Sequence, residues 1–326
     1  MKRIFMALGG MLLSASFLSA QPISPDFPYE SKFAEVFGAK MHYVEEYAAD
    51  QNPAQLTFLF LHGNPTSNYL WRNIIPYVKG LGKAVAPDLI GMGKSDKPDI
   101  DYTFEDHARY LDEFIRQKNL KNIVLVVHDW GSGLGFHYAH RHQDNIVGMV
   151  FMEAVTEAFR WEDAGLPERI LFKRLRDEKK GHKMIAEKNF FIENFLFKLG
   201  TVRELSPQEK EYYAAPYPTV ASRKPVEVWP KEIPFEGPSA TNYAAINAYG
   251  QWLKETDVPK LLLYAKPGMI LKKKTVERLK ATYKVLDTEY VGKGKHYIQE
   301  DQPHAIGRAI KSWAEEKLET PAPKAK

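Results

Sequence analysis

The chain has 326 residues, of which 44% are hydrophobic and 13% aromatic, which is enough to bury one large core or two modest ones. Its formal charge of +4 is too small to predict binding to nucleic acid. The sequence contains no cysteine, which excludes disulfides, thiol nucleophiles and cysteine-bound zinc. Any chemistry must therefore come from oxygen and nitrogen groups.

The first twenty residues have the pattern of a secretory signal. Lys2 and Arg3 precede an apolar stretch at 4–18, and Ala20 is the small residue after which we expect cleavage. The alternative is an uncleaved membrane anchor, but the apolar run is shorter than the ~20 residues that a spanning helix needs. We expect a signal peptide at 1–20 and a secreted or periplasmic protein that is free of the membrane once the signal is removed.

Predicted strands and helices alternate through the next part of the chain. Residues 31–46 alternate around Gly38 as a strand hairpin does. Apolar runs that end in a loop signal follow at 56–61, 84–86, 123–127 and 146–152. Predicted helices lie between these runs, among them 104–118 and 133–141. Continuous apolar strands alternating with helices predict a mostly parallel sheet with helices on both faces.

The composition changes between residues 156 and 242, where charged helical stretches and a proline-rich part at 216–238 replace buried strands. This segment is typical of an inserted helical cap domain. Strand character returns at 261–264 and 288–291, and a helix at 305–318 closes the fold. The predicted divisions are the signal peptide at 1–20, a core at 21–155 and 243–319, the cap at 156–242 and a disordered tail at 320–326.

The strand at 123–127 leads into the sequence HDWGSG, in which Gly131 and Gly133 open a helix. Strand, sharp turn and helix are the context of a nucleophile elbow in the α/β-hydrolase fold. Where esterases carry serine, this chain has Asp129, whose carboxylate suits displacement of a good leaving group from a saturated carbon, giving an alkyl ester. The alternative is that Asp129 only caps the helix, as aspartate often does.

His296 follows the last predicted strand, at the sheet edge where such proteins place their sites, and is the candidate base. His62 and His128 could compete, but they adjoin the expected oxyanion and elbow positions, and we interpret them as structural. A third group on or after the elbow helix has no carboxylate at ligand spacing: His137, His140 and His142. We therefore predict no metal site.

A histidine base needs an orienting carboxylate. In many hydrolases of this architecture the acid follows the strand that is 261–264 here, but residues 265–270 contain neither aspartate nor glutamate. Glu153 ends the strand at 146–152 instead, next to the elbow strand. It could be a solvated strand end, yet the empty position favours Glu153 as the acid.

Two nitrogen donors are expected around Asp129. Asn64 leaves the strand that should neighbour the elbow strand, and Trp130 directly follows Asp129. A halide leaves without needing a proton, so an amide and an indole N–H are suitable donors for the growing anion. The backbone amides of the same two residues are expected to bind an oxyanion.

Several motifs resemble the haloalkane dehalogenases, in particular the branch with a glutamate acid at the end of strand six. They are HGNPTS at 62–67, PDLIGMGKSDKP at 87–98, HDWG at 128–131, MEA at 152–154 and GKHYIQED at 294–301. The similarity runs from about Phe33 to Trp313.

The resemblance implies a nucleophile Asp129, an acid Glu153, a base His296 and a halide-binding pair, Asn64 with Trp130. It also implies that the pocket or its tunnel is lined by Phe191, Pro230, Met269 and Tyr297. No cofactor is implied, and the expected partners are a halogenated alkane, water and halide, with a monomer or weak homo-oligomer. Phe195 and Leu199 stand where relatives often have smaller residues, which predicts a narrower cavity.

Three other functions remain open from the sequence. An epoxide hydrolase shares the aspartate nucleophile and protonates an alkoxide, for which Tyr212, Tyr213 and Tyr217 are available. A coelenterazine luciferase-like monooxygenase resembles the same branch and retains the same five residues. A ligand-binding protein on an inactive hydrolase scaffold is the non-enzymatic alternative, which the intact set of site residues disfavours.

Overall fold

A computed structural model of the protein describes residues 21–48, 56–237 and 240–318. The predicted signal peptide at 1–20 and the predicted tail at 320–326 lie outside these ranges, so both stay predictions. Within the described ranges, no helix is long and apolar enough to cross a membrane.

The centre of the molecule is a sheet that the described residues build from eight strands. The strands are β1 (Lys32–Val36), β2 (Ala39–Glu46), β3 (Thr57–Leu61), β4 (Lys83–Pro87), β5 (Ile123–Asp129), β6 (Ile146–Ala154), β7 (Lys260–Pro267) and β8 (Leu286–Gly294). Their order across the sheet is β1-β2-β4-β3-β5-β6-β7-β8. Pairing is antiparallel at β1–β2 and β2–β4 and parallel elsewhere, which confirms the predicted mostly parallel sheet.

Helices connect the strands and cover the sheet. The α-helices of the described residues are α1 (Ile75–Val78), α2 (Phe104–Gln117), α3 (Trp130–Arg141), α4 (Leu166–Arg176), α5 (Glu178–His182), α6 (Pro207–Ala214), α7 (Lys224–Val228), α8 (Tyr243–Glu255), α9 (Lys273–Thr282), α10 (Ile298–Asp301) and α11 (Pro303–Lys317). Two π-helical segments, Lys183–Glu187 and Phe191–Leu199, lie between α5 and α6. Helix α3 begins earlier than its predicted start at residue 133, because glycines in its first turn weaken the helical signal.

Strand β5 is buried on both faces, as its unbroken apolar sequence predicts. Leu125 and Val127 point to one face and belong to a cluster that includes residues of α2 and α3. Val124 and Val126 point to the other face and belong to a second cluster with residues of α1 and α11. Because side chains alternate along a strand, helices on both faces are needed to bury them.

The chain between β6 and α8 contains helical segments and no strand among its described residues. It has a small apolar cluster of its own, made of Leu175, Ile185, Ile192, Tyr217 and Val226. After α7 comes Trp229, whose ring stacks on that of Trp130 with 4.7 Å between centroids. This segment therefore packs over the carboxyl end of β5.

The sheet order brings the predicted site residues to one edge. Strands β3, β5 and β6 are parallel neighbours, so the residues at their carboxyl ends meet there. Asn64 follows β3, Asp129 is the last residue of β5, and Glu153 is the second-to-last residue of β6. His296 reaches the same edge from the loop after β8.

Candidate active site

Asp129 stands at the sharp turn between β5 and α3. Its φ of +49° and ψ of −130° are uncommon for a residue other than glycine, and such strain is found at functional sites. Its side chain makes no capping hydrogen bond to α3. Instead, Oδ1 accepts the backbone N–H of Asn64 at 2.8 Å, and the nearby backbone N–H of Trp130 contributes to lowering the pKa of the carboxyl group. The side chain is thus held toward the sheet edge and does not act as a helix cap.

The Asp129 carboxylate is kept ionised by its neighbours. Burial raises the pKa of Asp129, but the hydrogen bond and the charge of His296 outweigh burial and hold this pKa below its ordinary value. The side chain is 13% exposed, so the carboxylate is not sealed inside the core. An ionised carboxylate is what nucleophilic attack requires.

Two glycines allow the chain to approach Asp129 closely. Gly63 lies where a Cβ atom would overlap the Asp129 carboxylate. Gly131 packs so tightly on the carbonyl oxygens of Leu61 and His62 that a Cβ atom there would overlap them. The missing side chains therefore let the loop after β3 present its N–H groups to the carboxylate.

His296 lies between the two carboxylates. Its Nε2 is 3.4 Å from Asp129 Oδ2, and its Nδ1 is 3.4 Å from Glu153 Oε2. Burial lowers the pKa of His296, but the hydrogen bonds to Asp129 and Glu153 outweigh burial and raise it to about 9. The imidazole of the free protein is thus held as a cation between two carboxylates.

The loop after β7, in which the sequence has no acid, binds Glu153 through its backbone. The Glu153 carboxylate accepts the N–H groups of Met269 at 3.0 Å, Ile270 at 2.7 Å and Leu271 at 3.2 Å. The side chain is 1% exposed, which excludes the alternative of a solvated strand end. Three N–H donors fix the carboxylate so that its Oε2 faces His296.

The two competing histidines have structural hydrogen bonds. His62 Nε2 accepts the N–H of Leu89 at 3.0 Å, so its Nδ1 donates to the carbonyl of Gly63 at 3.0 Å. His128 Nε2 lies 2.9 Å from the carbonyl oxygen of His296, and burial lowers the pKa of His128 to about 3. Both rings are neutral supports of the site. In the described ranges, no group of three or more histidine and carboxylate side chains is arranged to hold a metal ion.

Asn64 follows β3 on a loop, and Trp130 directly follows Asp129 as the first residue of α3. Asn64 is 6% exposed, and its Nδ2 donates to the carbonyl of Val226 in α7 at 3.3 Å. The indole of Trp130 is 4% exposed and stacks on Trp229. Nearly complete burial removes water from both donors, which strengthens their interaction with an anion.

Two of the four predicted pocket residues are buried next to this pair. The hydroxyl of Tyr297 donates to the carbonyl of Asn64 at 3.1 Å. Pro230 directly follows Trp229, and its carbonyl accepts a hydrogen bond from Arg176 at 3.0 Å. Tyr297 therefore contacts Asn64 directly, whereas Pro230 adjoins the site only as the chain neighbour of Trp229.

The other two predicted pocket residues, Phe191 and Met269, are less buried. Phe191 is half-buried and packs edge-on against Phe195, whose ring lies 5.6 Å from that of His296. The side chain of Met269 is 36% exposed. Leu199 is 51% exposed, so of the two residues predicted to narrow the cavity, only Phe195 lies against His296.

Known proteins identify the family. The sequence model of one protein family, the alpha/beta hydrolase fold, matches residues 57–303 of this chain. A haloalkane dehalogenase of Mesorhizobium japonicum is 44% identical over 284 residues, which cover 86% of this chain and 90% of that protein. A haloalkane dehalogenase of Bradyrhizobium diazoefficiens is 39% identical over 302 residues, which cover 89% and 96%. The chain belongs to the haloalkane dehalogenase family.

Solved structures of this family share the fold. The crystal structure of a haloalkane dehalogenase from Bradyrhizobium elkani has a TM-score of 0.82 at 38% identity, covering 87% of this chain and 97% of that chain. One from Agrobacterium tumefaciens has a TM-score of 0.80 at 34% identity, covering 89% and 97%. The predicted family and fold are confirmed.

Three supports of the dehalogenase site were not found from the sequence. They are the absence of a side chain at Gly63, the backbone N–H groups of residues 269–271, and the stacking of the Trp229 ring on Trp130. Gly63 had a signal, because it directly precedes Asn64 on a loop expected beside the elbow. Backbone donors leave no trace in residue identity, and the stacking of Trp229 depends on how the segment after β6 folds back.

Proposed function

We propose that the protein hydrolyses carbon–halogen bonds of haloalkanes to alcohol, halide and a proton, through a covalent ester on Asp129. The observation that carries this proposal is the Asp129 carboxylate itself, held at the elbow by the backbone N–H group of Asn64 and by His296. The halogenated substrates named for its relatives are consistent with this chemistry.

The first step is displacement at carbon. Asp129 attacks the halogen-bearing carbon from the side opposite the halide, and an alkyl ester forms as the carbon–halogen bond breaks. The departing anion is stabilised by the N–H donors of Asn64 and Trp130, which are preorganised by their contacts with Val226 and Trp229. No proton is needed for this leaving group.

The second step is hydrolysis of the ester. Esterification removes the charge of Asp129, one of the two carboxylates that raise the pKa of His296. The pKa of His296 therefore falls, the imidazole releases its proton, and it becomes able to accept one from water. Water attacks the ester carbonyl carbon as His296 takes its proton, and the backbone N–H groups of Asn64 and Trp130 stabilise the oxyanion. The bond between the carbonyl carbon and the alkyl oxygen then breaks, the alcohol leaves with the proton from His296, and the carboxylate of Asp129 is restored.

An epoxide hydrolase needs a proton donor for its alkoxide, and one of the three candidate tyrosines has its hydroxyl group engaged elsewhere. Tyr213 donates its hydroxyl proton to Glu300. The buried N–H donors of Asn64 and Trp130 favour a halide instead.

A single turnover in heavy-oxygen water tests the ester. We expect one labelled oxygen in the carboxylate of Asp129 after turnover of a bromoalkane, because water attacks the ester carbonyl. The His296→Phe variant is expected to accumulate the alkyl ester, visible as an added alkyl group in the intact mass. Alcohol formation with no label on residue 129 would overturn the proposal.

Matched substrates separate the alternatives. Halide release from bromo- and chloroalkanes of graded length measures dehalogenation, diol formation from the corresponding epoxides measures epoxide hydrolysis, and light emission with coelenterazine measures luciferase activity. We expect halide release alone, and its absence would contradict the proposal.

We further propose that the protein is exported to the periplasm or medium and acts there, without a cofactor, as a monomer or weak homo-oligomer on small halogenated alkanes. The support is the signal pattern at 1–20. Mass spectrometry of the protein from periplasmic and culture fractions tests export: we expect the chain to begin at Gln21. Full-length protein confined to the cytoplasm would contradict export.

A further inference from the structure

A second hydroxyl–imidazole–carboxylate arrangement lies beside β4, two strands away from β5 in the sheet. His42 on β2 has its Nε2 3.0 Å from Ser31 Oγ and its Nδ1 2.8 Å from Asp88 Oδ2. Ser31 directly precedes β1, and Asp88 directly follows β4. The same order of atoms activates the nucleophile in serine hydrolases, where the arrangement is recognised by geometry and not by sequence position.

The carboxylate of this trio is built to stay ionised and fixed. Asp88 is 1% exposed and accepts the N–H groups of Asn68 at 2.7 Å and Lys94 at 2.8 Å, besides its contact with His42. Burial raises the pKa of Asp88. Hydrogen bonds and nearby charges, of which the hydrogen bond from His42 has the largest effect, outweigh burial and hold this pKa below its ordinary value. Nδ1 of His42 faces the Asp88 carboxylate, and in the tautomer that carries its proton on Nδ1 the Nε2 atom is the acceptor that faces Ser31.

The hydroxyl of the trio is reachable, whereas its base is not. Ser31 is exposed, and His42 beneath it is fully buried. The Lys94 ammonium lies 3.4 Å from Ser31 Oγ, where it would stabilise an oxyanion that forms on attack. Phe33 is 52% exposed and lies with its ring 5.3 Å from that of His42, which gives an acyl or aryl group an apolar face. A structural role explains the buried His42–Asp88 pair but requires neither the exposed hydroxyl nor the cation.

We propose that Ser31, His42 and Asp88 form a second, surface catalytic site that hydrolyses small activated esters independently of Asp129. Ser31 Oγ bonds to the ester carbonyl carbon as its proton moves to His42 Nε2. The bond from that carbon to the leaving oxygen breaks, and the alcohol leaves with the proton. Water then attacks the acyl group on Ser31, again giving its proton to His42, and the carboxylic acid leaves as Ser31 recovers its hydrogen.

The test uses p-nitrophenyl acetate with the main site disabled by Asp129→Ala. We expect ester hydrolysis to persist in this variant and to fall about 10²-fold when Ser31→Ala is added, the lower end of what a positioned general base contributes. Ser24→Ala is the matched control, because the Ser24 hydroxyl contacts Asp26 and no histidine. Equal rates with and without Ser31→Ala would overturn the proposal.

Labelling gives a second readout on the wild-type protein, which does not depend on the Asp129→Ala variant folding. A fluorophosphonate probe is expected to modify the peptide that carries Ser31, and His42→Gln is expected to prevent this modification. Halide release by Ser31→Ala should equal that of the wild type, because the two sites are separate. A probe that leaves Ser31 unmodified would overturn the proposal.

Discussion

Two of the three residues of the main site have strained backbones. Asp129 has a φ of +49° and Glu153 a φ of +43°, and they stand at the ends of the neighbouring strands β5 and β6. Positive φ is costly for residues with a Cβ atom, and it persists only where the surroundings hold it. Here the backbone N–H groups of Asn64 and Ile270 hold the two carboxylates, so strain and hydrogen bonding together aim both side chains at His296.

Replacing Gly63 tests how closely the site is packed. In Gly63→Ala the added Cβ atom would overlap the Asp129 carboxylate and displace it. We expect halide release to fall about 10²-fold, as a displacement of ~1 Å can cause. Gly80→Ala is the control, because a Cβ atom there meets no atom within 4 Å. Initial rates of halide release with a bromoalkane measure both variants, and equal rates would contradict this packing.

The raised pKa of His296 predicts a pH dependence of stability. Its pKa of about 9 in the folded protein exceeds the ordinary value of 6.5, so protonation favours the folded state. This stabilisation is complete below pH 6.5 and is lost as the pH rises through 9. We expect the melting temperature of the wild type to fall over this range more steeply than that of His296→Phe, measured by calorimetry. Parallel pH curves would show that His296 is not held as a cation.

At the scale of whole structural elements, a buried ion network joins the segment after β3, the segment between β6 and α8, and helix α10, which follows His296. Arg72 donates to Glu300 of α10 at 2.6 Å and also contacts Glu209 of α6. Arg203 contacts both carboxylates as well, at 2.8 Å to Glu209. Since Arg72, Glu209 and Glu300 are each at most 2% exposed as side chains, each charge depends on the others for compensation.

Removing one of the positive charges of this network should therefore lower the stability of the folded protein. We expect Arg72→Met to lower the free energy of unfolding by about 3–5 kcal/mol, the range for breaking a buried ion pair from one side. Lys210→Met is the control, because Lys210 pairs with Glu204, whose side chain is 84% exposed, and its loss should change stability little. Urea denaturation measures both. Equal midpoints for the two variants would mean that the network contributes little to stability.

At the scale of the whole molecule, the residue types were sufficient to predict the architecture. They were not sufficient to predict the contacts between residues that are far apart in the chain. The apolar runs of β3, β5 and β6 were readable because burial on both faces leaves little choice of residue. The empty position at 265–270 led to Glu153, but not to the three backbone N–H groups that fix it. Every residue type except proline has a backbone N–H group, so the sequence does not show which of these groups donates. The stack on Trp130 joins residues far apart in the chain, which periodicity does not connect.

That stack couples the segment between β6 and α8 to the core. Trp229 lies between two core rings, with its centroid 4.7 Å from Trp130 and 4.3 Å from His107. Burial lowers the pKa of His107 to about 3, so its ring is neutral and packs as an apolar partner. Losing Trp229 would free Trp130 to turn away from Asn64, and halide binding would weaken.

Trp229→Leu tests this coupling while both halide donors stay in the chain. An aromatic pair contributes about 0.5–1.5 kcal/mol beyond its buried area, so we expect chloride affinity to fall by up to about tenfold. Trp161→Leu is the matched control, because Trp161 stacks on Phe235, 3.9 Å away between ring centroids, within the segment between β6 and α8. Quenching of tryptophan fluorescence by chloride measures affinity, with inhibition of turnover by chloride as a second readout. Equal chloride affinity in the two variants would mean that Trp229 does not hold the proposed halide-binding indole of Trp130 in place.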